Sequence, residues 1–168
     1  CHTQALRIDQ EPVGLSMTQT RIRLGELDIA VTFKAVKHVH LTVHPPLGNV
    51  SLVAPSGTRM EVARAYAISK LSWIRQQQEQ LRQVRAEYRQ RMDNLVAQSR
   101  NLRQYTTQAS NLVLSGPVFD ENMARHYVNE KYTPQMQREV ENLRAQHALL
   151  QILTPQQRQE WRRHCQYQ

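Results

Sequence analysis

Glycine is sparse in this chain of 168 residues: there are five, and none lies between Thr58 and Ser115. Proline is missing from the same stretch. Without either breaker, a loop-rich middle is excluded and a very long helical run is predicted. Cysteine is nearly absent. Cys1 and Cys165 stand at opposite ends, match no metal-ligand spacing and could form at most one bridge in an oxidising compartment. No apolar run is long enough to span a bilayer. The first fifteen residues lack the basic start and apolar run of a secretory signal. A leading Cys in place of Met implies a processed, truncated or excised chain, a processed lipoprotein among the alternatives. No glycine-rich phosphate loop, serine nucleophile motif, paired carboxylates or His-Glu-x-x-His is found. Catalysis and a cofactor are therefore not expected.

What is present is positive charge and a change of period. The formal net charge is +8, which suits an anionic partner or acidic client surface. The length fits one ordinary domain or two small ones. Before about residue 58 the period is two: Leu27, Ile29, Val31 and Phe33 alternate with other residues, as do Val39, Leu41 and Val43, then Val50 and Leu52. Pro45, Pro46, Gly48 and Asn49 supply a turn. Afterwards the period is helical. Thr58 with Glu61 reads as a capping box opening a helix through Tyr66, Leu71, Trp73 and Ile74. That helix is expected to continue along Leu81, Val84, Tyr88, Met92, Leu95 and Leu102. The fold class is α+β: a small antiparallel sheet of three or four strands, then an extended helical hairpin or bundle. The segments are 1–16 (an extension ahead of Met17), 17–80 and 81–168.

A corner is written near the C-terminus as Leu153-Thr154-Pro155-Gln156-Gln157. Thr154 suits an N-cap, and Pro155 suits the first helical position. Gln157 can reach back to the cap residue, completing a capping box, and Leu153 can staple onto the new helix. Upstream, Met136, Val140, Leu143, His147, Leu150 and Leu153 step by three or four along one helix face. Pro134 is expected to kink or break this helix.

Phe119-Asp120-Glu121-Asn122, the Gln- and Arg-rich helix after it and the Leu-Thr-Pro-Gln-Gln corner closely resemble the periplasmic Spy/CpxP family, named for its Leu-Thr-x-x-Gln repeats. The resemblance covers about residues 81–168. It implies an ATP-independent chaperone or envelope-stress adaptor of the periplasm, with thin antiparallel helices pairing into a cradle-shaped homodimer that holds unfolded clients on a concave basic face. An earlier Leu-Thr-x-x-Gln corner, usual in that family, is replaced here by Lys70-Leu71-Ser72-Trp73-Ile74-Arg75-Gln76. Val36 to Val43, Gly48, Val50, Val53-Ala54-Pro55 and Lys70 to Ile74 are similar to the opening of YgjP-like zinc metallopeptidases. In those proteins the chemistry lies on a downstream His-Glu-x-x-His helix, which this chain lacks. That resemblance implies an inactive fragment or fusion of such a peptidase. It and the missing signal point to the cytoplasm.

Arginines carry the candidate site. Between residues 82 and 103, Arg82, Arg85, Arg89, Arg91, Arg100 and Arg103 face only Glu87 and Asp93 in acidic charge. A solvated helix face is the plain reading of any one of them. Beside the stripe of Val84, Tyr88 and Met92 they predict a mixed basic and apolar surface. Arg82, Arg85, Tyr88, Arg89, Met92, Arg100 and Arg103 are the candidate client-contacting residues. Phe119, Asp120, Leu153, Thr154, Pro155 and Gln157 are the structural ones. His38, His40 and His44 share strand parity and are weak metal candidates, a polar strand face being the simpler account. His126, His147 and His164 lie on helices without a Glu partner, and His147 is expected to be a hydrogen-bonded core residue. A basic nucleic-acid-binding helix is a further alternative, but no helix-turn-helix or finger pattern and no aromatic platform accompanies it.

Overall fold

A computed structural model describes residues 20–166, with side chains through residue 163. Cys1, Met17, the 1–16 extension and the side chains of His164 and Cys165 lie outside what is described. The chain is α+β, in the order β1 (Thr20–Leu24), β2 (Leu27–Lys34), β3 (His40–His44), β4 (Asn49–Pro55), α1 (Met60–Ser69), α2 (Leu71–Ser115), α3 (Glu121–Ile152) and α4 (Pro155–Gln166). Contacts divide it into two compact units: Cys1–Arg85 with Ala148–Gln168, and Ala86–His147. The corner at Thr154 thus groups with the sheet.

In the first unit, alternation dictates the sheet. Ile22, Ile29, Val31, Val43, Val50, Leu52 and Ala54 are buried and point to one face, where Ala63, Ala67, Ile74, Leu81 and Leu149 from the helices meet them. Fully burying a side chain such as Leu52, Ile74 or Leu81 contributes about 1.5–3 kcal/mol. The strand order is β1-β2-β4-β3. β1 with β2 and β3 with β4 are antiparallel, but β2 and β4 run parallel from Ile29↔Val50 to Lys34↔Pro55. The sheet is therefore mixed, not wholly antiparallel: after β2 the chain crosses over and lays β4 between β2 and β3.

The β3–β4 turn is clamped by α2. Gly48 has φ +84°, a backbone conformation that favours glycine, and a Cβ there would stand 3.3 Å from Gln78 Cγ, close enough to push that side chain aside by a few tenths of an ångström. Gln78 donates to the Gly48 carbonyl at 2.9 Å, and Arg85 donates to the Pro46 carbonyl at 2.6 Å. These bonds satisfy turn carbonyls that no strand partner reaches.

The expected capping box at Thr58 does not form. Gly57, at φ +87°, turns the chain so that the Thr58 N–H donates to the Pro55 carbonyl, and Arg59 becomes the N-cap with no side-chain bond. Counted from Arg59, the third helical position is Val62, so Glu61 stands out of register for a box. The helical run also divides once, at Lys70, between α1 and α2.

The second unit holds the later part of α2 and most of α3. Tyr88 donates to Asn142 at 2.8 Å, and Arg91 lies 3.6 Å from Glu141. Further along, Tyr105 Oη is 3.4 Å from His126 Nε2, so the two stretches run antiparallel. Asp120 caps α3 by accepting from the Met123 N–H at 3.2 Å. Of the kink or break expected at Pro134, the break does not occur. α3 continues through it, and the Thr133 hydroxyl donates to the Asn129 carbonyl at 2.6 Å.

Candidate functional site

Arg89, Met92, Val96, Arg100 and Arg103 are separated by three, four, four and three residues, which keeps them on one side of α2. Arg89, Arg100 and Arg103 are exposed, Val96 is exposed and Met92 is half-buried. The neighbouring stripe of Tyr88, Leu95 and Leu102 turns inward, with Leu95 buried. The outer side consequently carries three arginine heads, with Met92 and Val96 as an apolar gap between Arg89 and Arg100 and the exposed Asp93 carboxylate beside them.

Two of the candidate client-contacting arginines, and the tyrosine, are already engaged. Arg82, in the first unit, is exposed but donates from Nε to Glu79 at 2.8 Å, and this bond holds the Glu79 carboxyl below and the Arg82 guanidinium above their ordinary pKa. Arg85 is half-buried on the Pro46 carbonyl. Tyr88 is half-buried against Asn142. The structure thus keeps Arg89, Met92, Arg100 and Arg103 together on one surface and places Arg85 and Tyr88 in packing roles.

The sequence named Phe119 as structural and Met136, Val140 and Leu143 as one helix face, but it did not show that they belong to a second, exposed population. Leu112, Leu114, Val118, Phe119 and Met123, around the α2–α3 connection, are all exposed, Leu114 and Val118 nearly 80% so (79% and 78%). Phe119 precedes the Asp120 cap and lines a small hollow with Ala124, Arg125 and Val128. On α3, Met136, Val140 and Leu143 are more than half exposed, at 56%, 52% and 55%. His147 is exposed as well, which corrects the expectation of a core histidine. The turn that buries Ala145, Gln146 and Leu149 is the other side of the helix, and His147 follows the outward stripe instead. Spacing identifies residues sharing a face, but it does not reveal which face is covered.

The histidine candidates are not gathered into a site. His38 precedes β3 in a bend, whereas His40 and His44 lie in the strand and are exposed. Among the described residues no group of three or more His, Cys, Asp or Glu could hold a metal ion. His44 Nε2 is 2.7 Å from Ser51 Oγ. Although His44 reaches the surface, neighbouring atoms displace part of the water around its ring; this pushes its pKa below the ordinary histidine value, and Glu160 opposes it in part.

The corner forms as its residues dictate. Gln157 N–H donates to Thr154 Oγ1 at 3.3 Å, and Thr154 N–H donates to Gln157 Oε1 at 3.1 Å, a reciprocal capping box. Pro155 opens α4, and Leu153 is buried. Arg158 Nε donates to the Leu153 carbonyl at 3.2 Å. Gln157 also donates from Nε2 to the Val43 carbonyl at 3.1 Å, tying the corner to the edge strand β3. Among the described residues no helix is long and apolar enough to cross a membrane. The chain matches no family model, no curated protein and no solved structure.

Proposed function

We propose that this protein is an ATP-independent chaperone of the periplasm, which binds unfolded or partly folded polypeptides on the basic, partly apolar side of α2. The observation that carries the reading is the stripe of Arg89, Met92, Val96, Arg100 and Arg103, exposed apart from the half-buried Met92. Arginine heads attract acidic segments over a distance set by ionic strength, while their stems and the Val96 and Met92 side chains offer short apolar contacts. No deep concavity is needed for such a partner. Contacts that are individually weak and built on flexible side chains select for an unfolded, mostly extended chain over one shaped ligand. The compartment follows from the resemblance to the Spy/CpxP family.

The test is light scattering of an aggregating, chemically unfolded client with the full chain and no nucleotide. Suppression at near-stoichiometric amounts, weakened by salt, is the expected result. Full aggregation in the presence of protein shown by circular dichroism to be helical overturns the proposal. In the same series, a nucleic-acid duplex serves as competitor. If it binds with a steep loss of affinity in salt while clients are ignored, the basic side serves phosphates instead.

A further inference from the structure

We propose that the α2–α3 connection is a membrane-contact tip, which dips into the headgroup layer of a phospholipid bilayer without crossing it. The inference stands without the chaperone reading. Among the described residues, the four most exposed of the larger apolar side chains are Leu112, Leu114, Val118 and Phe119, which are 64% to 79% open to solvent. All four fall in one short stretch, and no Asp, Glu, Lys or Arg stands between Arg103 and Asp120. A soluble surface seldom gathers apolar side chains in this way unless a partner or a membrane meets them.

The directions of these side chains select a bilayer over a protein. Leu112 and Leu114 are two residues apart at the end of α2, so they point to nearly opposite sides of it. Val118 and Phe119 lie beyond the helix, and the exposed Met123 belongs to the first turn of α3. A groove or flat patch on another protein covers one of these sides and leaves the others in water. A fluid apolar layer entered end-on covers them all. Polar groups set the depth. Asp120 is held by the Met123 N–H at 3.2 Å and Glu121 by Arg125 at 3.0 Å, so the two carboxylates at the apex enter the headgroup region already partnered. The non-helical backbone from Gly116 to Phe119 cannot go deeper, because hydrocarbon offers it no hydrogen-bond partners. Behind the apex come tyrosines and cations. Tyr105 and Arg103 on α2, and Tyr127, Lys131 and Tyr132 on α3, stand about 9 to 18 Å from the helix ends at 1.5 Å per residue. Lys131 Nζ lies over the Tyr127 and Tyr132 rings, 5.9 and 5.5 Å from their centres. Tyrosine rings suit the membrane–water boundary, and Arg103 and Lys131 complement lipid phosphates there.

Flotation of the full chain with phosphatidylcholine vesicles, with and without phosphatidylglycerol, tests this. Binding to both is expected, tighter where phosphatidylglycerol is present. Leu114→Ser, Val118→Ser and Phe119→Ser together should weaken binding to either by roughly a hundredfold or more, since three apolar side chains lose their place in the lipid. All three are exposed, so this variant should keep its helical circular dichroism. Lys131→Glu should weaken binding to the phosphatidylglycerol vesicles more than to the others. An environment-sensitive fluorophore on a Val118→Cys variant, in a Cys1→Ser, Cys165→Ser background, should shift to the blue with vesicles. Lipid spin-labelled high on the acyl chain should quench it more than lipid labelled near the chain end. A helical chain that stays in the aqueous fraction, or vesicle binding indifferent to the triple substitution, overturns the inference. So does a fluorophore that shifts with an unfolded protein client and not with vesicles, because the tip then takes a protein partner.

Discussion

Gln157 shows how much one side chain can hold. Its Oε1 accepts from the Thr154 N–H, its own N–H donates to Thr154 Oγ1, and its Nε2 donates to the Val43 carbonyl on β3. Thr154→Ala removes the cap alone and should cost about 1 kcal/mol in urea unfolding. Gln157→Ala removes the return bond and leaves an edge-strand carbonyl without this donor, so it should cost more than Thr154→Ala. An equal or smaller loss would mean that the bond to Val43 contributes nothing. His44 makes a prediction in pH. Its folded pKa lies below the unfolded value of about 6.5, so between the two the unfolded chain binds more protons. The stability it contributes is complete above that range and is lost as pH falls through it. His44→Gln should therefore flatten the decline in urea midpoint between about pH 7.5 and about pH 5.5. An unchanged slope refutes the linkage. The capping box at 154 was legible because Thr154, Pro155 and Gln157, all within four residues, decide it. The one at 58 was not, because Gly57 shifted the helix start by one residue.

At the scale of elements, alternation marked β2, β3 and β4 and the faces they bury, but β1 escaped notice. Thr20-Arg21-Ile22-Arg23-Leu24 is short and carries two arginines, and it becomes a strand by pairing with β2. The parallel β2–β4 neighbourhood was hidden for a different reason. A period of two assigns side chains to faces and says nothing of which strand lies alongside. Helical period placed the arginines beside an apolar stripe of Val84, Tyr88 and Met92 but did not show which of them stay free of other contacts: Arg85 was spent on the Pro46 carbonyl, a contact 39 residues away in sequence. The consequence for function is specific. Replacing Arg89, Arg100 and Arg103 together by Gln should leave helicity intact, since all three are exposed, and should weaken client suppression and remove its salt dependence. Replacing Arg85 by Gln should do the reverse, lowering stability with little effect on suppression by the folded protein. Suppression lost with Arg85→Gln and kept in the triple variant would place the binding surface elsewhere.

Across the whole molecule, the first unit is drawn from both ends of the described chain. Ile74 and Leu81 from α2 and Leu149 from α3 share the core with Ile29, Leu52 and Val43 of the sheet, and the chain between residues 86 and 147 leaves this unit and returns. A division at residue 80, natural in the sequence, would cut Leu81 and Leu149 out of that core. Residues 17–80 alone are then not expected to make a protease-resistant body. Losing two such side chains removes about 1.5–3 kcal/mol each, a large part of the stability of a small domain. Limited proteolysis of the full chain separates the two views. The connection from Gly116 to Asp120 is exposed and carries Val118 and Phe119, so a protease of apolar specificity should cut there first. The two fragments should nevertheless elute together under native conditions, because β1 to β4 on one fragment and Leu149, Leu153 and Gln157 on the other complete one core and one clamp. Fragments that part without denaturant, with the N-terminal one trimmed to a stable piece ending near residue 80, would show that the sheet folds without the returning chain and would favour the peptidase-like remnant.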